Sequence, residues 1–255
     1  VEKDAMKNHV LAKKTHLGKY LVRSNRAVYQ LLFLLPLLVI YEVAAVLVNF
    51  NAPFEMRNGA DILLKYALHG VGIRSVFSFV LAALLFASLM LIVSMKKYKK
   101  RVRWSYFALM FGETLIYAII IGIISSQVAV FVTIGNPFLA TGCKDTVMHQ
   151  LMIGVGAGVY EEIVFRALLI TLVMAIVKLV GVGDDKRTII AILLSSFLFS
   201  AFHYVGDFGE AFNLITFTYR LVAGILLSVV YVFRGLGVSA WSHAIYDVYV
   251  VFGIL

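Results

Sequence analysis

Two adjacent glutamates and an arginine, Glu161, Glu162 and Arg166, sit inside the apolar run Val159-Tyr160-Glu161-Glu162-Ile163-Val164-Phe165-Arg166-Ala167-Leu168. A charged side chain at the centre of a membrane helix costs about 2.5–3.5 kcal/mol on insertion scales, so three unpaired ones would cost on the order of 8–10 kcal/mol. They need internal partners or a wet pocket. Two further apolar stretches supply candidates, Phe199-x3-His203 and His243-x3-Asp247. Carboxylates and imidazoles gathered away from bulk water can activate a water molecule and stabilise the oxyanion of a tetrahedral intermediate. The pattern points to a hydrolytic site inside a membrane.

Helical spacing divides the work among these groups. Glu162 and Arg166 are four residues apart, so they share a face and can form a charge-assisted pair. Gly154 and Gly158 extend the same row and would let a neighbouring helix approach closely. Glu161 is turned about 100° from that row, which leaves it as the freer carboxylate and the candidate base. Phe199 lies one turn before His203 and can fix its ring, and His243 shares a face with Asp247. Taken singly, each group has a structural reading: a buried ion pair, a histidine bonding two helices, a bridge between spans. Their conjunction on three apolar segments favours function.

The elements that must carry these groups are membrane spans. Of 255 residues, 62% are hydrophobic and only 15% charged, against about a quarter charged in soluble domains. Seven stretches, at roughly 30–50, 76–95, 105–133, 149–180, 188–205, 211–233 and 237–255, are apolar enough to insert across a hydrocarbon layer about 30 Å thick. Ile62–Leu68 reads as a short interfacial helix. The expected fold is an all-α, polytopic transmembrane bundle. Residues 1–148 form a cytoplasmic segment with the first three spans, and 149–255 form a helical core. No linker marks a second soluble domain. No cleavage site follows the first apolar run, so it reads as a retained span.

Charge sets the orientation. Seventeen of the 23 Lys and Arg residues fall on one set of alternate loops and four on the other, which places the N-terminus in the cytoplasm. The net charge of +9 gathers beside apolar runs, above all at Lys96–Arg103, as in a loop facing anionic lipid rather than a nucleic-acid surface. The lone Cys143 has no disulfide partner, and His9, His16, His69 and His149 have no metal spacing. No Gly-x-Ser-x-Gly, His-Glu-x-x-His or Walker loop occurs. Glu42, Glu113 and Gln127 read as packing or interfacial groups, and Arg220, mid-span, requires an acidic or carbonyl partner. One tension concerns depth. Glu161 lies about 25 Å from Lys178 and His203 about 24 Å from Arg187, but His243 only about 13 Å from Arg234. Tilt, a late start or incomplete crossing of the last span would reconcile them.

Taken in order, Glu161-Glu162-x3-Arg166, Phe199-x3-His203 and His243-x3-Asp247 resemble the CPBP family, which groups type II CAAX prenyl endopeptidases with bacterial Abi-type membrane proteins. The resemblance covers roughly 149–255. It implies peptide-bond hydrolysis inside the bilayer, with a membrane protein or peptide as substrate. In the glutamate-type version it implies, Glu161 activates water while His203, His243 and Asp247 position it and hold the oxyanion; Glu162 and Arg166 are the positioning pair. In the metalloprotease version Glu161, His203, His243 and Asp247 would hold Zn²⁺, leaving one position for water. The metal-free version is favoured, because the ligands lie on three helices without tight local spacing. Asp247 stands where the eukaryotic enzymes usually have Asn, and an ionised Asp accepts hydrogen bonds without donating them. That shifts its expected role toward orienting His243, weakens the case for prenylated substrates, and favours a prokaryotic cytoplasmic membrane. Two rivals share the composition: a non-proteolytic scaffold or immunity factor, and a proton-coupled carrier using the same buried groups as relays. Oligomeric state is not readable from the chain.

Overall fold

The computed structural model describes residues 15–50, 55–70, 87, 89–91, 93, 102–132, 146–206 and 209–254, and the regular structure among them is helical. The expected span at 76–95 lies almost wholly outside the described residues, and Lys96–Arg101, Cys143 and His9 lie outside them. The helices are α1 (His16–Ser24), α2 (Ala27–Asn49), α3 (Gly59–Gly70), α4 (Ser105–Val132) and α5 (Val147–Gly156). A π-helical segment (Ala157–Ile170), α6 (Thr171–Leu179), α7 (Asp184–Phe202), α8 (Leu214–Arg234) and α9 (Leu236–Val251) follow. Thr15, Thr146 and Asn213 start α1, α5 and α8 by accepting hydrogen bonds from first-turn backbone N–H groups.

Among the described residues, three helices, α2, α4 and α8, are long and apolar enough to cross a membrane. In each, only 28% of the most apolar window is buried within the fold, so their remaining apolar surface must meet an apolar surrounding. Val39, Val43 and Val46 on α2 and Ile116, Ile120 and Ile123 on α4 all point outward. The three segments α5, π-helical and α6 follow one another without a break across the expected 149–180 stretch. Helix α7 opens with Asp184-Asp185-Lys186-Arg187 before its apolar part, and α9 has 16 residues, about 24 Å at 1.5 Å per residue.

Helix α9 occupies the middle and packs against α2, α4, α5, the π-helical segment and α8. Leu37 and Tyr41 of α2, Met152 of α5, Val159 and Tyr160 of the π-helical segment, and Ala240 and Ala244 of α9 share one buried cluster. Small residues make this crossing close. A Cβ on Gly158 would stand 2.6 Å from the Ala240 carbonyl oxygen and 2.7 Å from Ala244 Cβ, and one on Gly154 would stand 2.9 Å from Asp247 Cβ.

Gly235, with φ of +88°, turns α8 directly into α9. Gln30 of α2 fastens this elbow: its Oε1 accepts from the N–H groups of Gly237 and Val238 at 2.8 and 3.3 Å. Its Nε2 donates to the carbonyls of Arg234 and Ser24 at 2.8 and 2.7 Å. Arg234 is buried, pairs with Glu113 of α4 at 2.8 Å, and donates to Tyr20 and Ser24 of α1. A cation at a helix C-terminus also suits the helix dipole.

Candidate active site

The six predicted residues meet in one region, carried by the π-helical segment, α7 and α9. Glu161 and Glu162 sit within the widened turns of the π-helical segment, where hydrogen bonds close over five residues rather than four. The pairing inferred from four-residue spacing persists there, with Arg166 Nη1 3.1 Å from Glu162 Oε1 and both side chains fully buried. Arg166 also donates to the Gly224 carbonyl at 3.3 Å and stands 4.4 Å over the Phe199 ring, a desolvated cation–π contact.

Glu162 does more than balance the arginine. Its Oε2 accepts from Ser239 Oγ at 2.6 Å, and its Oε1 lies 2.9 Å from His243 Nδ1. An ionised carboxylate only accepts, so Nδ1 carries the proton and Nε2 presents its lone pair on the ring's far side. There it faces Glu161 Oε2 at 4.0 Å and Asp247 Oδ2 at 3.6 Å. Neither distance is a hydrogen bond. The group that orients His243 is therefore Glu162, not Asp247 as expected; Asp247 stands one turn away and lines the cavity instead.

Glu161 points elsewhere, in keeping with its rotation from the pairing row. Its Oε1 accepts from Asn58 Nδ2 at 3.0 Å, and its Oε2 is the oxygen turned toward His243. His203 ends α7, with Nδ1 2.9 Å from the Phe199 carbonyl; a carbonyl only accepts, so here too Nε2 is left bare. The Phe199 ring meets His203 and His243 edge-on at 5.3 and 5.8 Å. One phenyl ring thus packs against both imidazoles and the guanidinium.

These groups open on a cavity of about 310 Å³ lined by Glu161, His203, His243 and Asp247, with Glu210, Tyr219, Arg220 and Tyr246 at its wall. A second hollow of about 530 Å³, beside the Gly235 elbow, touches none of the six. The other polar intrusions tie the fold together. Arg220 finds its acidic partner in Glu210 at 2.6 Å, Glu42 pairs with Arg57 at 3.1 Å, and Glu113 holds Arg234.

Two residues at the site escaped sequence reasoning. Ser239 lies four residues before His243, so the row Ser239-x3-His243-x3-Asp247 carried the signal. Asn58 caps the start of α3, its Oδ1 accepting from the Ala60 N–H at 2.8 Å; an Asn just before a helix reads as a cap, but nothing in the sequence joins it to Glu161.

Zinc would need three or four of these donors turned to one point. Among the described residues no three His, Cys, Asp or Glu side chains are placed to share an ion. His243 has one ring nitrogen committed to Glu162, and the carboxylates beside the other keep their distance. The side chains as placed do not form a metal centre.

Residues 144–249 match the family model for type II CAAX prenyl endopeptidases, described as Rce1-like. The matched stretch contains all six residues. No curated protein and no solved structure matches the chain significantly.

Proposed function

We propose, from the match of residues 144–249 to a family of CAAX-type proteases, that this integral membrane protein cleaves a peptide bond within or beside the bilayer, with Glu161 as general base. The observation that carries this reading is the pair Glu161 Oε2 and His243 Nε2, 4.0 Å apart on separate helices at the cavity. Both atoms are acceptors, and each belongs to a group whose other polar atom is already tied down, by Asn58 and by Glu162. One water can donate a hydrogen to each, which turns its lone pair toward a carbonyl carbon seated in the cavity.

In this scheme the water oxygen bonds the carbonyl carbon while its proton passes to Glu161. His203 lines the same cavity, and once its bare Nε2 takes a proton from solvent the ring donates to the resulting oxyanion. Glu161 then returns the proton to the departing nitrogen as the C–N bond breaks, giving a carboxylate and an amine. Asp247 keeps the wall polar, and Arg166 holds Glu162 against His243. No step is routed through a metal ion, because the donors are not placed to share one. In the same reading the chain crosses a prokaryotic cytoplasmic membrane seven times from a cytoplasmic N-terminus.

The test compares peptides in membranes from cells expressing wild-type protein and Glu161→Gln, by mass spectrometry of new termini. Purified protein in liposomes is assayed in parallel with quenched peptides ending in Cys-a-a-X, farnesylated or unmodified. Termini that vanish in Glu161→Gln support the reading. Identical termini in both would leave a scaffold, and proton movement without new termini would leave a carrier.

A further inference from the structure

We propose that Asn58, which lies outside the family-matched region, is a positioning residue that fixes which oxygen of Glu161 faces the cavity; this rests on Glu161 being the base. Asn58 is 3% exposed, and its two side-chain atoms have unambiguous roles. The Ala60 N–H can only donate, so the atom facing it is Oδ1, and Nδ2 must be the atom 3.0 Å from Glu161 Oε1. A carboxylate held by one oxygen keeps the other aimed, here at His243 Nε2 and the water between them.

What makes this contact a positioning device is how firmly Asn58 is itself held. Its N–H donates to the Tyr41 hydroxyl at 3.3 Å, and that hydroxyl donates to Asp61 Oδ2 at 2.9 Å. The same oxygen takes Lys65 Nζ at 2.9 Å and Arg57 Nη1 at 3.2 Å. Arg57 continues to Glu42 at 3.1 Å, and Glu42 accepts from the Tyr160 hydroxyl at 2.8 Å. Tyr160 precedes Glu161 in the chain, so the network closes: Asn58 grips the glutamate's side chain while its sequence neighbour Arg57 grips the adjacent residue through Glu42. Gly156 leaves room for this, since a Cβ there would overlap the Tyr41 ring and stand 3.0 Å from Asn58 Cβ.

Two substitutions separate positioning from capping. Asp and Ser are both good N-caps, so Asn58→Asp and Asn58→Ser should keep α3 and its melting behaviour. Asn58→Ser is too short to reach Glu161, and Asn58→Asp puts a carboxylate oxygen, which cannot donate, against Glu161 Oε1 where the N–H had held it. With the farnesylated quenched peptide in liposomes, kcat should fall about tenfold to a hundredfold in Asn58→Ser and further in Asn58→Asp, with KM little changed. A second readout needs no substrate: a carboxyl released from Asn58 is freer to meet dicyclohexylcarbodiimide, a reagent for carboxyls in apolar surroundings, so Glu161 should be labelled faster in both variants, as mapped by mass spectrometry. Wild-type kcat and wild-type labelling in both variants would overturn the inference, and if one variant does not fold the other decides. If Glu161→Gln still cleaves, the assignment of Glu161 as the base falls by itself, and the labelling still tells whether Asn58 controls this carboxyl.

Discussion

Gly158→Ala is the smallest change that should pull the site apart. The added Cβ would stand 2.6 Å from the Ala240 carbonyl oxygen, 2.7 Å from Ala244 Cβ and 2.9 Å from the Ala244 nitrogen. All three belong to α9, and two are backbone atoms that no rotamer change can move. A close carbon–oxygen contact between helices is about 3.3–3.6 Å, so α9 must withdraw by about 0.7–1.0 Å. Ala240 and Ala244 bracket His243, which moves with them while Glu161 and Glu162 stay on the other side of the crossing. Overpacking of this kind costs about 1–3 kcal/mol, offset by up to about 1 kcal/mol of gained helix propensity. The rate should suffer more, since a misplacement of about 1 Å can cost about a hundredfold. Unfolding in detergent micelles and cleavage of the quenched peptide measure the two effects. Gly112→Ala, on α4 with no heavy atom within 4 Å of its added Cβ, is the neutral control. Adding Ala244→Gly to Gly158→Ala should recover only part of the rate, because the Ala240 oxygen remains in the way. A Gly158→Ala protein as active as Gly112→Ala would refute the claim that this contact sets the distance between His243 and Glu161.

Arg166→Met leaves Glu162 buried without its cation and should destabilise the protein by about 3–5 kcal/mol in denaturant titrations. Glu162→Gln with Arg166→Met should cost less than the two single changes added together, and simple additivity would show that the pair is not coupled. Ser239→Ala removes the 2.6 Å bond to Glu162 Oε2, worth about 1.5–3 kcal/mol for a charged acceptor. It should lower kcat more than it raises KM, because it loosens the carboxylate that orients His243. A change in KM alone would place Ser239 in substrate binding instead.

The sequence exposed the site because charge inside an apolar run needs partners, and residues four apart in a helix share a face. That logic identified the Glu162–Arg166 pair, the separate direction of Glu161 and the glycine row against which α9 packs. It reached the partner of Arg220 only as a requirement, since Glu210 is distant along the turn rather than along a face. It could not reach Asn58, whose link to Glu161 spans 103 positions and depends on how α3 docks. It also misassigned the support of His243: Asp247, four residues on, was the nearer partner in sequence, whereas Glu162 on another helix is nearer in space. Local periodicity ranks partners on one helix and is silent on those brought by packing. The π-helical geometry of Ala157–Ile170 had no visible signature, because wide turns are selected by tertiary contacts such as Ser195 Oγ donating to the Phe165 carbonyl at 2.5 Å.

The apparent mismatch in depth of His243 shows the same limit acting on charge. Measuring from Arg234 assumed that a basic residue at a helix end marks the edge of the apolar layer. Arg234 is instead 6% exposed and enclosed by Glu113, Tyr20 and Ser24, so it belongs to the interior. Helix α9 begins at a glycine elbow fastened by Gln30, and eight residues of helix from there bring His243 Nε2 within 4.0 Å of Glu161 Oε2. A basic residue can count toward orientation only where water or lipid headgroups, rather than a carboxylate of the same protein, balance it. Removing Arg234 from that tally leaves the bias strongly toward a cytoplasmic N-terminus, but it removes the yardstick that made the last helix look too shallow.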